Sequence, residues 1–347
     1  MNKKIKLNTV VEPSLEFDDV SDKSYWIQIP GIFSEGMANI AKNGKYGYAD
    51  KTGTAVIACI YDFEKAPFQC SNFKNGLAYI KKDNKIGFIN KTGELVIPCV
   101  YEPTTGITAH NFSEGMALVQ KDNKCGYIDT AGEEVIQFIY KIAHPFKDGA
   151  ALVLNGKENQ YYYIDKSGDI IIALDRKYNW LTDFYEGLAL IGKDGKIGYI
   201  DKNGNIAIPL VYDYGKGQPK MALSDFSEGM ADVYKDGKRL FIDKNGNKII
   251  DCVYDGWRRF RDGRSAVMKE NKWGFIDKTG EITVPLIYDW VSDFSEGLAW
   301  VKKDGKFGYI DTDGDIITPI EFENAYDFRN GLAWIKKDGK WGILEIA

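Results

Sequence analysis

Short apolar runs recur along the chain, and each is followed by a turn sequence and a second run rich in aromatic residues. The segment 294–319, FSEGLAWVKKDGKFGYIDTDGDIITP, contains the pattern in its most complete form. Its first run, LAWV, is apolar at consecutive positions, so a strand formed by it has apolar side chains on both faces. No apolar period of 3.6 residues extends beyond a few residues. The pattern therefore predicts strands throughout and almost no helix.

Two kinds of turn join these strands. A two-residue turn flanked by lysines, as at Asp304-Gly305, supplies the positive φ angles of a type I′ hairpin. A four-residue loop from Asp or Asn to Gly, as at 277–280, suits a type I turn with a G1 bulge. We expect the third strand that follows to stop at a proline, which has no N–H for a ladder, at Pro98, Pro209, Pro285 or Pro319. The stretch after it has room for a short fourth strand.

The whole unit repeats. Its first landmark is a glycine, followed by an apolar residue in eight of nine cases, at Gly36, Gly76, Gly115, Gly149, Gly187, Gly229, Gly263, Gly297 and Gly331. The intervals run from 34 to 42 residues, which is typical of a solenoid or a propeller. A second glycine precedes Tyr or Phe in strand two, as at Gly274, and we expect an aromatic side chain to lie over its bare backbone. Stacked copies would cover both apolar faces of each sheet.

The two ends of the chain complement each other. The last segment, GKWGILEIA, stops after strand two, and residues 9–13 near the start have the pattern of an unattached third strand. Joining them would complete a ninth unit. We therefore predict an all-β fold of nine antiparallel β-meander repeats in a β-propeller-like closed ring, with an open β-solenoid or superhelix as the alternative. Residues 1–32 would supply the closing or capping strand, and residues 33–347 would form one continuous repeat domain.

Residues 272–280, KWGFIDKTG, and residues 340–342, KWG, resemble the bacterial WG (KWG) repeat family. Nine consecutive units carry the resemblance from about Phe33 onwards, although the name-giving Trp is replaced in most of them, for example by Tyr46 or Cys125. The resemblance implies a repeated β module in prokaryotic proteins, often without an assigned activity. It brings no catalytic residues to this chain.

Composition narrows the range of partners. The net charge of −5 arises from interleaved acids and lysines, which leaves no broad basic face for nucleic acid. The five cysteines lack CxxC or zinc-ligand spacing, and we expect Cys59 and Cys99 to be small buried hydrophobic residues in a reducing compartment. No run of about 18 apolar residues and no apolar stretch of signal-peptide length is present. We expect a cytoplasmic protein with no membrane partner.

Candidates for chemistry are few. The two histidines, His110 and His144, have no repeated carboxylate or Cys companions, so we expect loop or edge positions rather than a metal site. The aspartates that open the four-residue loops are expected to form turns, although the segment 311–315 superficially resembles part of a calcium loop. No nucleophile or phosphate motif has the right flanks, and Gly215-Lys216-Gly217 lacks a strand-to-helix context. We predict no enzymatic activity and no cofactor.

The arginines are the strongest anomaly. Only seven of the 45 basic residues are Arg, and four of them fall between positions 258 and 264. Arginine pairs with carboxylates and stacks on aromatic rings, and both Arg and Trp are enriched in interface hot spots. The alternative is an internal network with acids of neighbouring units. We predict a partner-binding site at Trp257, Arg258, Arg259, Arg261 and Arg264.

Length variation adds a second indication. The extra residues fall mainly at 63–72, 101–111 and 214–224, and equivalent insertions in an array often emerge on the binding face. We therefore predict a non-enzymatic scaffold that binds another protein, and the arginines favour a partner with an acidic surface. Binding of a glycan or cell-surface polymer is the alternative, and buried Trp257, Trp290 and Trp300 would weaken it. A hydrolase with paired carboxylates is a further alternative.

Overall fold

The computed structural model describes residues 5–16, 31–62, 71–103, 111–214 and 225–347, and every regular element in them is a β-strand. The prediction of an all-β chain is confirmed. The described residues fall into two compact units, one within 1–82, 87–99 and 254–347 and the other within 83–86 and 100–253. This part of the chain contains no helix long and apolar enough to cross a membrane.

The strands are numbered in chain order. The first ten are β1 (Leu7–Leu15), β2 (Met37–Lys42), β3 (Lys45–Asp50), β4 (Ala55–Asp62), β5 (Leu77–Lys82), β6 (Lys85–Asn90), β7 (Leu95–Tyr101), β8 (Phe112–Ser113), β9 (Met116–Lys121) and β10 (Lys124–Ile128). The next eleven are β11 (Glu134–Ala143), β12 (Ala151–Asn155), β13 (Gln160–Ile164), β14 (Ile170–Ala173), β15 (Trp180–Leu181), β16 (Ala189–Lys193), β17 (Lys196–Ile200), β18 (Ile206–Asp213), β19 (Ala231–Lys235), β20 (Lys238–Ile242) and β21 (Lys248–Asp251). The last ten are β22 (Gly256–Trp257), β23 (Ser265–Lys269), β24 (Lys272–Ile276), β25 (Ile282–Tyr288), β26 (Trp290–Val291), β27 (Leu298–Lys303), β28 (Lys306–Asp311), β29 (Asn324–Ala325), β30 (Leu332–Lys337) and β31 (Lys340–Ile346).

All sheets are antiparallel. The first unit holds the sheets β1-β31-β30-β29, β2-β3-β4, β22-β23-β24-β25 and β26-β27-β28. The second holds β15-β16-β17-β18, β19-β20-β21 and a seven-stranded sheet that runs from β14 to β8, and the remaining sheet is β5-β6-β7. The short fourth strand for which the sequence left room is present as β15, β22, β26 and β29, and each pairs with strand one of the following repeat.

Both predicted turn types are confirmed. Asp304 and Gly305 have φ angles of 51° and 81°, as a type I′ turn requires. In the four-residue loop the Asp277 carboxylate accepts the backbone N–H groups of Thr279 and Glu281 at 2.9 and 3.0 Å. Asp311 accepts two N–H groups in the same way at 3.1 and 2.9 Å. The loop aspartates therefore act as turn formers.

The prediction that proline ends strand three is wrong at three positions. Pro98, Pro209 and Pro285 lie inside β7, β18 and β25, which continue beyond them. The proline is tolerated because it lies in a bulge. Trp273 pairs with Tyr288 and Phe275 with Val284, so a two-residue advance along β24 corresponds to a four-residue advance along β25. A bulged residue leaves the ladder, so its missing N–H costs no pairing.

The same bulge explains the glycine in strand two. A Cβ atom at Gly274 would lie 2.4 Å from the Val284 carbonyl oxygen and 2.7 Å from that of Pro285. At Gly274 the backbone of the adjacent strand therefore requires a glycine, whereas at Gly126 the Phe138 ring lies over the glycine as predicted, with its Cδ1 2.9 Å from the position of a Cβ atom. Gly198 is equivalent, with the Ile208 oxygen at 2.4 Å.

The core lies between successive sheets. In the second unit Leu152 and Tyr163 of one sheet pack with Phe184 and Ile191 of the next. The Tyr163 hydroxyl donates to the Thr182 carbonyl oxygen at 2.6 Å, so even this deeply buried phenol is satisfied. Ala151 and Val153, on the other face of β12, belong to the cluster of Tyr127 and Phe146, so this strand one is covered on both faces, as the sequence predicts.

A second link joins neighbouring repeats through the Ser-Glu-Gly segment. The Glu296 carboxylate accepts the N–H groups of Asn330 and Gly331 at 2.7 and 2.8 Å. In the second unit the Glu114 carboxylate accepts the Gly149 N–H, while Lys166 donates to the Glu114 carbonyl oxygen at 2.9 Å. These bonds give the recurring glutamate a structural role.

The N-terminal strand β1 lies antiparallel to β31 in the first unit. Leu15 pairs with Trp341 and Val11 with Ile343, which reproduces the bulge of strand three. A Cβ atom at Gly342 would lie 2.7 Å from the Val11 carbonyl oxygen, as at the other strand-two glycines. Closure of a ring, and one continuous domain over residues 33–347, stay predictions.

Cys59 and Cys99 are half-buried rather than fully buried, and Cys125 is buried. Their strand-three positions leave one side open to solvent. Cys70, His110, Gly215-Lys216-Gly217 and most of the three insertions fall outside the described residues. The predicted binding rim therefore stays a prediction.

Candidate functional site

The predicted arginine site begins at β22 and continues into a tight hairpin. The Arg258 N–H donates to the Ala266 carbonyl oxygen at 2.8 Å, and Arg261 and Arg264 exchange two backbone hydrogen bonds of 2.8 and 3.0 Å. The turn between them is Asp262-Gly263, with φ angles of 49° and 73°. This backbone fixes where each arginine side chain leaves the sheet.

Arg258 lies against two tryptophans. Its guanidinium carbon is 5.1 Å from the centroid of a Trp273 ring and 5.4 Å from that of a Trp290 ring. The Trp273 and Trp290 rings meet edge to face at 5.3 Å, and Arg258 Nη1 is 3.5 Å from the Asp293 carboxylate. The Arg258 side chain remains 26% exposed. Cation–π contacts and a carboxylate therefore hold one face of the guanidinium while part of it reaches solvent.

The other predicted residues are placed differently. Arg264 is mostly internal: Nε donates to the Thr312 carbonyl oxygen at 3.0 Å, and Nη2 is 3.8 Å from Asp313. Trp257 and Arg259 are half-buried, and Arg261 is exposed. Arg258 and Arg264 thus have the internal acid partners that the alternative interpretation requires, whereas Arg261 faces solvent. A role of the five residues in partner binding stays a prediction.

Next to Arg258 the first unit has an open groove of about 470 Å³, lined by Asp289, Trp290, Trp300, Lys302, Gly305 and Phe307. Trp290 is 43% exposed, and Trp300 and Phe307 are half-buried with their rings 5.4 Å apart. We call Arg258, Trp273, Trp290, Trp300, Lys302 and Phe307 the Trp–Arg face. The sequence analysis did not identify the groove as a site. The tryptophan in the short fourth strand, Trp290, could have indicated it.

Most polar groups of the groove already have partners. Asp289 is bound by Lys272 Nζ at 2.6 Å and by the Asp304 N–H at 2.9 Å, and the Lys272 hydrogen bond lowers its pKa. Trp300 Nε1 donates to Asp327 at 3.0 Å, and Lys302 Nζ lies 5.1 Å from the Phe307 ring centroid. The surface left for a ligand is mainly aromatic carbon, together with the exposed indole of Trp290.

Asp327 and Asp293 lie behind this face, close enough to interact. Burial of Asp327 raises its pKa above the ordinary 3.8; Arg329 opposes the rise, and the Asp293 carboxylate adds to it. A carboxylate pair with one raised pKa is a known arrangement in hydrolases. Here Asp293 faces Arg258 and Asp327 accepts the Trp300 indole N–H, so both carboxylates have structural partners.

Replacing Asp327 by asparagine should stabilise the protein increasingly as pH rises. Because the pKa of Asp327 is raised in the folded protein, its contribution to the free energy of unfolding is fully present below pH 3.8, the ordinary pKa of the group. That contribution is lost as the pH rises through the pKa of the folded state. The amide oxygen of the introduced asparagine can still accept the Trp300 N–H. Urea unfolding of both proteins between pH 3 and pH 8 measures the difference, and a constant difference would contradict the assignment.

His144 belongs to a separate cluster in the second unit. Its Nδ1 lies 2.7 Å from Asp183, which Lys147 Nζ approaches at 3.1 Å, and the Lys147 amine also donates to the Tyr185 hydroxyl. Burial alone would raise the pKa of Asp183, but His144 and Lys147 lower it. His144 is at the loop position expected from the sequence. Within the described ranges no three His, Cys, Asp or Glu residues are grouped to hold a metal ion.

Comparison with protein families identifies the repeat. The model described as "WG containing repeat" matches eight times, at residues 46–85, 86–125, 126–158, 163–196, 197–238, 241–273, 273–307 and 307–341. A search of the curated proteins found no match. The resemblance stated from the KWG segments is thereby confirmed.

Solved structures give the fold. A crystal structure of the eukaryotic initiation factor is 9% identical, covers 99% of this chain and 98% of its own, and has a TM-score of 0.58. BamB from Moraxella catarrhalis is 12% identical over 80% of this chain and 94% of its own, with a TM-score of 0.45. The first likeness shows the fold alone, an all-β, propeller-like repeat fold, as predicted.

Proposed function

Because the chain belongs to the WG-containing-repeat family, we propose that it is a non-enzymatic binding module that presents a rigid β surface to another protein. The observation that carries the proposal is the Trp–Arg face, where Trp290 is 43% exposed and Arg258 is stacked beside it. Trp and Arg dominate the energetics of protein interfaces when they are held in place before binding.

Rigidity supports this assignment. Trp290 lies on β26, which is paired to β27 through Lys302 and Val301. Trp300 is fixed by its bond to Asp327, and Arg258 by Asp293 and two indole rings. Side chains that are ordered before binding lose little conformational entropy on association. The face therefore has the composition and the order of an interface hot spot.

Trp290→Ala should weaken partner binding at least about 30-fold, which corresponds to roughly 2 kcal/mol for a hot-spot residue. Immobilised protein and native cell extract, with retained proteins quantified by mass spectrometry, provide the first measurement, and titration of the purified partner the second. Arg258→Lys should weaken binding as well, since lysine cannot make the same stacked contact.

Trp180→Ala is the matched control. Trp180 is 39% exposed and lies on β15, where its pairing with Gly192 corresponds to that of Trp290 with Lys302. This control should retain the partner. Equal retention by all variants would contradict a binding role of the Trp–Arg face.

Glycan binding is the second candidate, because Trp290 is exposed and Trp257 and Trp300 are only half-buried. Burial of these rings would have weakened that candidate. An oligosaccharide that saturates the wild-type protein but not Trp290→Ala would favour it over a protein partner. A hydrolase remains the less favoured alternative, since Asp293 and Asp327 already have structural partners.

A further inference from the structure

The groove of the Trp–Arg face offers aromatic surface and few unsatisfied polar groups. Lys272 and the Asp304 N–H bind the Asp289 carboxylate, and the indole N–H of Trp300 is bound to Asp327. A polyhydroxylated ligand such as a sugar would bury hydroxyl groups against Trp290 and Phe307 with few partners for them. Each buried hydroxyl group left without a hydrogen-bond partner weakens binding. The hydrogen bonding therefore disfavours a sugar.

A cationic ligand is disfavoured for a different reason. The aromatic faces already carry cations of this chain, with Lys302 over Phe307 at 5.1 Å and Arg258 over Trp290 at 5.4 Å. The carboxylate that lines the groove, that of Asp289, is already paired with Lys272. A lysine or arginine of a partner would therefore meet like charge, and the groove-lining acid would already be neutralised.

We propose that this groove binds an extended, proline-containing segment of the partner protein, which rests on the function proposed above. Proline rings are flat and apolar, and proline has no backbone N–H that needs an acceptor. A polyproline II segment is preordered and keeps its carbonyl groups exposed, so aromatic-lined grooves bind it at a small entropic cost. The exposed indole of Trp290 can donate its N–H to such a carbonyl.

The size of the groove agrees with this ligand. Its volume of about 470 Å³ lies within the range of sites that hold a compact ligand or a few side chains. Phe307 and Trp300 meet edge to face, so their rings form an angular wall rather than a flat plate. Successive rings of a three-residue turn of polyproline II can pack into such an angle.

The test uses the full chain and a labelled nine-residue polyproline peptide, with a Gly-Ser peptide of equal length as the reference. Fluorescence anisotropy should give saturable binding of the polyproline peptide at least tenfold tighter than that of the reference. Trp290→Ala should abolish this preference, Trp290→Phe should retain part of it, and Trp180→Ala should leave it unchanged. Circular dichroism of each variant establishes that it is folded.

Three results would overturn the inference: equal binding of both peptides, equal binding by wild type and Trp290→Ala, or displacement of the peptide by an oligolysine peptide or an oligosaccharide at lower concentration. A wrong polyproline assignment can be distinguished from a wrong proposed function. If polyproline does not bind but capture of the natural partner still depends on Trp290, only the proline assignment is wrong. If neither depends on Trp290, both are wrong.

Discussion

Replacing Gly274 by alanine is expected to destabilise the protein by about 3 kcal/mol, because the new methyl group has no space. It would lie 2.4 Å from the Val284 carbonyl oxygen and 2.7 Å from that of Pro285. Both atoms belong to backbone, so no side chain can rotate away. Relief would require the bulge of β25 to open, which would break the pairing of Trp273 with Tyr288.

A control separates this steric effect from the general cost of losing a glycine. Gly339 has a φ of 73°, and a Cβ atom there would meet nothing within 4 Å. Gly339→Ala should therefore cost about 1 kcal/mol, through the left-handed backbone conformation alone. Urea unfolding of the two variants measures both values. Equal losses would show that the close approach to β25 is not what requires Gly274.

The strands and turns could be predicted because their signals are local. Asp304-Gly305 specifies a type I′ turn through two adjacent residues, and the Asp277 carboxylate folds its own loop. The continuous apolar run of strand one indicates burial on both faces without any knowledge of its neighbours. Such features depend on a few residues in sequence, so the pattern alone identifies them.

The bulge of strand three could not be predicted, because it depends on two strands at once. Pro285 is by itself a strand terminator, and Gly274 by itself is a weak point in a strand. Together they form one structural feature: the bulged backbone around Pro285 passes close to Gly274, where there is no side chain to obstruct it. A local rule applied to Pro285 alone therefore gave the wrong result, and the rule applied to Gly274 alone missed the carbonyl groups that exclude a side chain there.

Only part of the candidate site could be predicted, because its contacts also depend on more than one strand. Arg258 stood out because its residue type is unusual at that position of the repeat. Its contacts Trp290 and Asp293 come from the next repeat, and only the stacking of sheets brings them together. The groove beside them is likewise built from β26, β27 and β28, so no single segment of sequence specifies it.

Deleting residues 1–25 is expected to cost on the order of 4 kcal/mol, since it removes β1 and its half-buried apolar side chains. Leu7 packs against the cluster that contains Leu344, and Val11 and Leu15 pack against that of Trp334 and Trp341. The edge of β31 would also lose its hydrogen-bonding partner. A Ser14→Ala variant, altered at an exposed position of the same strand, should unfold like the wild type.

The shape of the unfolding transition carries more information than its midpoint. In a closed ring every repeat depends on the final contact, so loss of β1 should broaden or split the transition of the whole chain. In an open superhelix the loss should fray only the sheet that contains β31, and most of the transition should persist. Calorimetry distinguishes the two, and a synthetic peptide of residues 1–16 should restore the transition by refilling the vacated edge. An unaltered melting curve would count against closure.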